Sequence, residues 1–385
     1  MAQQTDRRGF LSRGAITAGA VAAGKASISS QAGAEPRISY KRTSPASPEL
    51  VKVGVVAGRS THTKNIWYRF MNPAVGTPRR TGLIVTHYWT HWDAIVDDFE
   101  KKTGAQRVNN LEDMIGKVDG VIVDEGSAVN IQHLLAKPYV EAGIPTFMNR
   151  PFTSCVNKGR MLLDIARKND TPLMCGSSFE YVKEAAAANK YVERDKVRAY
   201  EAYNSSSDYY THGLHGMWFA YRCFGGGVSR VSTLSKKWWK GPALTSIEHK
   251  PRVADGQPIY GIVRHGSTGG GNCGIRVYSD RCQEFINTSE GTGDVRDQSL
   301  WTPMLIAIEK MFITGEMPEP YENILEKTRI FLASFYSLLE LDGAPVEMDS
   351  FDDGWDAGPR KVEHYPGNSY TPAELADYEK VAKGS

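Results

Sequence analysis

The 385-residue sequence carries 46 basic and 44 acidic side chains, a formal net charge of +2. That balance excludes the basic excess by which nucleic-acid-binding and membrane-surface proteins gather their partners. A 41% hydrophobic share, in a chain longer than the roughly 250–300 residues at which single cores stop growing, points to a globular protein of two domains.

The chain opens on a targeting pattern. Asp6-Arg7-Arg8-Gly9-Phe10-Leu11 sets an arginine pair before Phe-Leu, a weakly apolar run covers Ala15 to Ala23, and Ala32-Gly33-Ala34 is a small-x-small cleavage site. These regions in order read as a twin-arginine signal peptide over residues 1–34. The expectation is a periplasmic protein with the twin-arginine export machinery as a partner. The apolar run is too short to span a bilayer, so no stable membrane span remains after cleavage. Signals of this kind serve proteins that cross already folded, often with a cofactor inside. Residues 35–48, rich in Ser, Pro and Arg, read as a linker. The five cysteines (Cys155, Cys175, Cys223, Cys273, Cys282) are odd in number and lack Cys-x-x-Cys spacing. They support neither a disulfide framework nor a zinc knuckle, though one pair is open to oxidation after export.

Val51–Ala57 is a β-branched run of the buried parallel-strand kind. Gly58 to Thr63 forms a turn, followed by a helix through Met71. Strands are expected at Leu83–Tyr88, Gly120–Val123, Pro145–Met148 and Pro172–Cys175. Helices are expected at Trp92–Lys102, Leu111–Ile115, Asn130–Ala142 and Asn157–Lys168. This alternation with short connections predicts an α/β domain over 49–178, an open parallel sheet wrapped by helices. The strand 145–148 runs into Asn149-Arg150-Pro151. Ligands gather at the carboxyl ends of such strands, so this tripeptide is expected at the floor of an active site and at the seam between domains. After Ser178 the pattern changes. Strand-like runs at Val197–Tyr203, Val228–Ser235, Ile259–Arg264, Cys273–Tyr278 and Gln283–Asn287 accompany helices at Gly213–Phe224, Leu300–Ile313 and Ile324–Leu341. They predict an α+β domain over 179–345 on an open, mainly antiparallel sheet, with 346–385 as a C-terminal tail.

Three stretches resemble the glucose–fructose oxidoreductase / inositol dehydrogenase (Gfo/Idh/MocA) family. They are Val51–His62, Val140–Pro151 (the family's "EAGKPVFVEKP") and Thr211-His212-Gly213-Leu214-His215 before a helix ending Phe224-Gly225 (its "D-x-G-x-H" stretch). The resemblance implies a Rossmann-like, doubly wound dinucleotide domain, NAD or NADP as cofactor, a sugar or cyclitol substrate and a homo-oligomer formed through the second domain's sheet. It places cofactor contacts at Gly58, Arg59, Ser60, Thr61, His62, Asp124, Glu125, Asn149, Arg150 and Pro151. The sequence departs from the family at telling positions. The three fingerprint glycines fall on Ala57, Arg59 and His62, which leaves Gly58 to supply the turn and Arg59 to reach a phosphate. No acidic residue ends the second strand, which closes Thr86-His87. Arg150 stands for the family's lysine and Thr211 for its aspartate. Arginine keeps its proton, so Arg150 cannot act as a base. It is expected to orient or polarise an oxygen, or else to form a structural ion pair with Asp124 or Glu125. His215, on the family's histidine, is the leading proton-transfer candidate, with helix packing as its alternative. His212 has no counterpart in the motif and is the second candidate.

Other features keep two readings. His62, His87 and His91 lie just past strand ends and would make a metal site if they converged with His212 and His215, but unrelated loop histidines are the preferred reading. Tyr181, Tyr203, Tyr209, Tyr210 and Trp218 are core aromatics or a sugar-stacking platform. Lys236–Lys240 reads as a solvated strand edge, and His265–Gly271 as a lid or a long hairpin. Function is expected to be NAD(P)-dependent oxidation or reduction of a carbohydrate. The alternatives are non-redox elimination, hydration or epimerisation with His215 as acid/base, and sugar binding without catalysis.

Overall fold

The structure is a computed structural model that describes residues 50–384 apart from 78, 183, 186–187, 189–196, 205–207, 240, 253–255, 267–272, 280–282, 288–297 and 360–368. The signal segment, the linker, most of the 265–271 loop and Cys282 lie outside the described residues.

Six strands form the first sheet: β1 (Val51–Ala57), β2 (Leu83–Trp89), β3 (Gln106–Arg107), β4 (Gly120–Asp124), β5 (Thr146–Asn149) and β6 (Leu173–Gly176). Their order is β3-β2-β1-β4-β5-β6, and every neighbouring pair is parallel. This is the doubly wound order in which the chain winds one way across the sheet from β1 to β3 and the other way from β4 to β6, opening a crevice at the carboxyl ends of β1 and β4. β1, β4, β5 and β6 are buried on both faces, as expected of apolar runs covered by helices on each side. β3 is a two-residue addition that its exposed Gln-Arg sequence hides from a hydrophobicity reading. The helices are α1 (Thr61–Asn65), α2 (Trp67–Met71), α3 (Asp93–Thr103), α4 (Val129–Glu141) and α5 (Val156–Lys168). The single helix expected through Met71 is broken at Ile66, whose φ of −116° leaves the helical range.

The second sheet holds β7 (Val197–Asn204), β8 (Val228–Leu234), β9 (Ala243–His249), β10 (Ile259–His265), β11 (Cys273–Ser279), β12 (Gln283–Asn287) and β13 (Val346–Glu347). Its order is β12-β11-β7-β10-β9-β8-β13, antiparallel except for the β7–β10 pair. One face packs on α6 (Leu214–Phe224), which crosses β7, β10 and β11, and on α8 (Tyr321–Glu340), which crosses β8. The other face exposes Leu234, Leu244, Tyr260 and Ile262. β9 has no counterpart in the sequence reading, because Thr245 and His249 point inward among its buried residues and blur the alternation. Lys236 to Trp239 are the turn between β8 and β9 and not a strand edge. Trp238 packs edge-on against Phe335, ring centroids 5.3 Å apart.

The residues after 345 are not a tail. β13 extends the second sheet at β8, and α9 (Pro372–Ala382) packs against α4 of the first domain. α9 starts on a capping box in which Thr371 and Glu374 satisfy each other's backbone amides, with Pro372 in the first turn.

A buried charge cluster joins α8 to the end of the first sheet. Lys327 of α8, fully buried, donates to Glu180 at 2.5 Å and to Glu319 at 2.7 Å. Burial works against its charge, yet the two carboxylates outweigh that and hold it above the ordinary lysine range. Another α7 (Gln298–Thr314) helix lies beside the turn that carries Glu180. Replacing Lys327 by Met leaves two buried carboxylates facing each other without a cation. Lys327→Met is expected to lower the unfolding free energy by about 3–5 kcal/mol in urea titration. A loss below about 1 kcal/mol would show that the cluster is solvated and contributes little.

Candidate active site

Two consecutive carboxylates end β4, and the site is built around them. Asp124 is buried and accepts from Thr63 Oγ1 (2.6 Å), Trp67 Nε1 (2.8 Å) and Asn149 Nδ2 (2.7 Å). Burial raises its pKa, and these donors work against the rise. The break at Ile66 starts α2 at Trp67, whose indole N–H is thereby one of Asp124's donors. Asn149 ends β5, and its amide nitrogen also lies 2.8 Å from His62 Nδ1. Arg150 donates from Nη2 to His62 Nε2 at 3.1 Å. Gln132 of α4 donates to the carbonyls of Asn149 (2.7 Å) and Pro151 (3.0 Å), which fixes the corner from behind; the Arg150–Pro151 peptide is cis. The expected pairing of Arg150 with Asp124 or Glu125 is therefore corrected: Arg150 turns to His62, and Asp124 is satisfied by neutral donors.

His215, on the first turn of α6, is buried with Nδ1 2.6 Å from Ser177 Oγ. Burial, then the Arg150 charge, holds both His62 and His215 well below the usual histidine range, so both rings are neutral. Ser177 is itself held by Glu180, which accepts from the Ser177 amide at 2.7 Å. His212 differs. It sits in a single π turn (Tyr209–Gly213) with its side chain about a quarter exposed. Its Nδ1 lies 2.6 Å from Oδ2 of the buried Asp208, and Thr211 donates to the same carboxylate. A carboxylate on Nδ1 fixes the proton there and makes Nε2 the basic nitrogen. The rings of His212 and His215 are 5.7 Å apart, centroid to centroid. The sequence reading ranked His215 above His212 and did not find Asp208. The missing signal was an Asp four residues before a His at a helical start, spaced to share one turn.

Arg150 hydrogen-bonds His62, its charge also acts on His215, and His212 lies beside His215, while His87 and His91 lie elsewhere. His87 contacts Thr86 Oγ1, and His91 stacks on Tyr378 at 4.9 Å. Among the described residues no group of three or more His, Cys, Asp or Glu is arranged to hold a metal ion. The four described cysteines are buried thiols. Tyr209, Tyr210 and Trp218 are core residues, and the Tyr209 hydroxyl contacts Thr245 Oγ1 (2.7 Å) and Ser334 Oγ (3.0 Å). For these three the core reading holds, and not the sugar platform.

The β1 turn departs most from expectation. Gly58 supplies the turn, its amide donating to the Asp124 carbonyl at 3.1 Å. A Cβ at this position would lie 2.2 Å from Glu125 Oε2, so glycine is required by the carboxylate of the neighbouring strand. Ser60 caps α1 by accepting from the His62 amide, and Thr61 is the first helical residue. Arg59 does not point along an open crevice. It donates to Glu374 (2.7 Å) and to the Ser369 carbonyl (3.0 Å), and lies 4.1 Å over the Trp92 ring. Its amide donates to the Tyr370 hydroxyl at 3.2 Å. Tyr370 stacks on Trp92, centroids 4.7 Å apart, and donates to Glu125 Oε2 at 2.6 Å; Tyr378 donates to the same oxygen at 3.2 Å.

The structure is similar to solved dehydrogenases over most of its length. It matches a probable dehydrogenase from Thermotoga maritima (14% identity, TM-score 0.62, 78% of this chain and 99% of that one). It matches GenD2 of gentamicin A biosynthesis in complex with NAD (16%, 0.63, 80% and 99%). It also matches scyllo-inositol dehydrogenase from Lactobacillus casei with NAD(H) and scyllo-inositol bound (12%, 0.62, 78% and 100%). At these identities the likeness is one of fold: a doubly wound parallel sheet followed by a second, mostly antiparallel one. No protein-family model and no curated protein matches the sequence. The Asn149–Pro151 corner stands at the carboxyl end of β5, which lies between β4 and β6 in the first sheet.

Glu125 yields a pH test. Burial outweighs its donors and pushes the carboxyl from 4.5 up to about 7. A carboxyl raised in the folded state binds its proton more tightly there than in the unfolded chain. Its contribution to stability is full below the unfolded value and is lost as pH rises through about 7, amounting to about 3 kcal/mol. Glu125→Gln, which keeps the shape without the titration, is expected to lose less stability than the parent between about pH 5 and about pH 8. Parallel slopes for parent and variant in urea titrations would show that Glu125 is ionised throughout.

Proposed function

We propose that this protein is an exported, periplasmic oxidoreductase that acts on a sugar or cyclitol with NAD or NADP. The observation that carries the reading is the seam itself. A fixed cation (Arg150), two neutral histidines and an Asp208–His212 pair converge where β5 of a doubly wound sheet meets the second domain. The β1 turn supports a dinucleotide there, because Arg59 already clamps an anion, the Glu374 carboxylate, against an aromatic face. Gly58, Arg59, Ser60, Asp124 and the Asn149–Pro151 corner would hold it. When bound, it supplies the hydride acceptor or donor.

The chain's own residues handle the proton. Arg150 polarises the substrate oxygen with a charge that it cannot lose. His212 takes the hydroxyl proton on Nε2 in the oxidative direction and returns it in the other, while Asp208 stabilises the imidazolium that forms. His215, held neutral by burial and oriented by Ser177, contacts the sugar hydroxyls as donor or acceptor. The twin-arginine pattern fits this reading, since export of a folded protein keeps a bound cofactor in place. The exposed Leu234, Leu244, Tyr260 and Ile262 face fits a homo-oligomer paired through the second sheet.

The deciding experiment is to purify the exported protein, denature it, and assay the supernatant for nicotinamide dinucleotide by absorbance and mass. Added NAD and NADP are then titrated, and sugars and cyclitols screened for production of reduced nicotinamide. Absence of both release and binding would overturn the oxidoreductase reading in favour of non-redox chemistry at the same residues. On an active substrate, His212→Ala and Asp208→Asn should each lower kcat by about 10²–10⁴-fold with little change in melting temperature. Asn keeps the N-cap acceptor but not the charge. Full activity in Asp208→Asn would remove the pair from catalysis. Ile262→Glu should shift sedimentation from oligomer to monomer, and an unchanged profile would place the interface elsewhere.

A further inference from the structure

The C-terminal residues 369–382 lie on the part of the first domain that a dinucleotide's adenosine half needs. In a doubly wound sheet the pyrophosphate rests on the turn after the first strand, and the ribose lies at the end of the second. Here the turn after β1 is covered by Tyr370 and Glu374, and the end of β2 by Tyr370 and Tyr378. The contacts imitate those of the ligand. The Glu374 carboxylate takes the Arg59 guanidinium, the geometry in which arginine also takes a phosphate. The Tyr370 hydroxyl accepts the Arg59 amide, a backbone donor of the turn that otherwise faces a phosphate oxygen. The Tyr370 ring stacks on Trp92 at 4.7 Å and 18°, a flat aromatic slot of the kind a purine base fills. Tyr378 is stacked on His91 and edge-on to Trp92, centroids 4.9 and 5.5 Å away.

We propose that the segment Ser369–Ala382 is an intramolecular mimic of the dinucleotide's adenosine–phosphate half, and that NAD or NADP enters by displacing it. The proposal rests on the dinucleotide reading above and adds a regulatory step to it. The segment's polar hold is suited to exchange. Glu374 is about one-third exposed and Asp377, which meets His91 Nε2 at 3.2 Å, about two-thirds exposed, so both contacts compete with water. Apparent affinity for the dinucleotide is then the intrinsic affinity reduced by the fraction of molecules with the segment away.

Hydrogen exchange of the full-length exported protein, with and without saturating NAD or NADP, reads this directly. The α9 amides (372–382) should exchange faster when dinucleotide is bound, whereas the β1 and β4 amides should not. Calorimetric titration of Glu374→Lys, which sets a cation against Arg59, should show dinucleotide bound about tenfold more tightly than by the parent, as for a segment open one-tenth of the time. A synthetic 369–384 peptide added to that variant should weaken dinucleotide binding competitively. Dinucleotide binding that leaves 372–382 equally protected, with unchanged affinity in Glu374→Lys, would overturn the mimic while leaving the oxidoreductase reading intact. Failure of parent and variant alike to bind either dinucleotide would overturn both.

Discussion

Burial of two adjacent carboxylates at the end of β4 is the constraint on which the rest of the site depends. Neither Asp124 nor Glu125 reaches water, and a buried carboxyl group is tolerated only when its oxygens are matched by donors or it keeps its proton. Asp124 recruits Thr63, Trp67 and Asn149, and so ties the first helices to the β5 corner. Glu125 recruits two backbone amides of the following turn and the hydroxyls of Tyr370 and Tyr378. One carboxylate therefore organises the seam between the domains, and the next organises the packing of the chain's last helix onto the first domain.

Arginine at position 150 restricts which groups can move a proton. A permanently charged guanidinium cannot shuttle a proton, and burial, reinforced by its field, lowers the pKa of His62 and His215. The remaining candidate is the histidine that has its own carboxylate. Asp208 both caps the turn, accepting the Thr211 amide at 2.8 Å, and anchors His212. Backbone capping and proton transfer are thereby joined in one side chain. A second line of support runs from Lys327 through Glu180 to the Ser177 amide, and from the Ser177 hydroxyl to His215. This line couples the buried ionic cluster to the His215 ring.

The outer face of the second sheet and the C-terminal segment show two ways of treating apolar surface. Leu244 and Ile262 stay exposed on strands whose inner faces are core. Tyr370 and Tyr378, by contrast, are buried against Trp89, His91 and Trp92, at the strand ends where a doubly wound sheet takes its ligand.

Much of the architecture was legible in the residues. β-branched runs and helical periodicity located most of the larger elements to within a few residues, and in the first sheet this is because burial on both faces of a parallel strand leaves an unbroken apolar run. The Asn149-Arg150-Pro151 corner was legible for the same reason, as the point where such a run ends in polar residues. The short β3, the mixed-polarity β9 and the break at Ile66 were not, since each is set by contacts distant in sequence. The site divides in the same way. The sequence alone determined that residue 150 keeps its charge, that a glycine turns the chain after β1, and that histidines lie near the second-domain helix, because these follow from side-chain chemistry and local backbone freedom. Only the tertiary structure decided that Asp208 belongs to His212, that Arg59 is held by Glu374, and that residues 369–382 cover the crevice. Those pairings join groups from 4 to more than 300 positions apart, and they are selected by the need to satisfy buried charge, which no local pattern records.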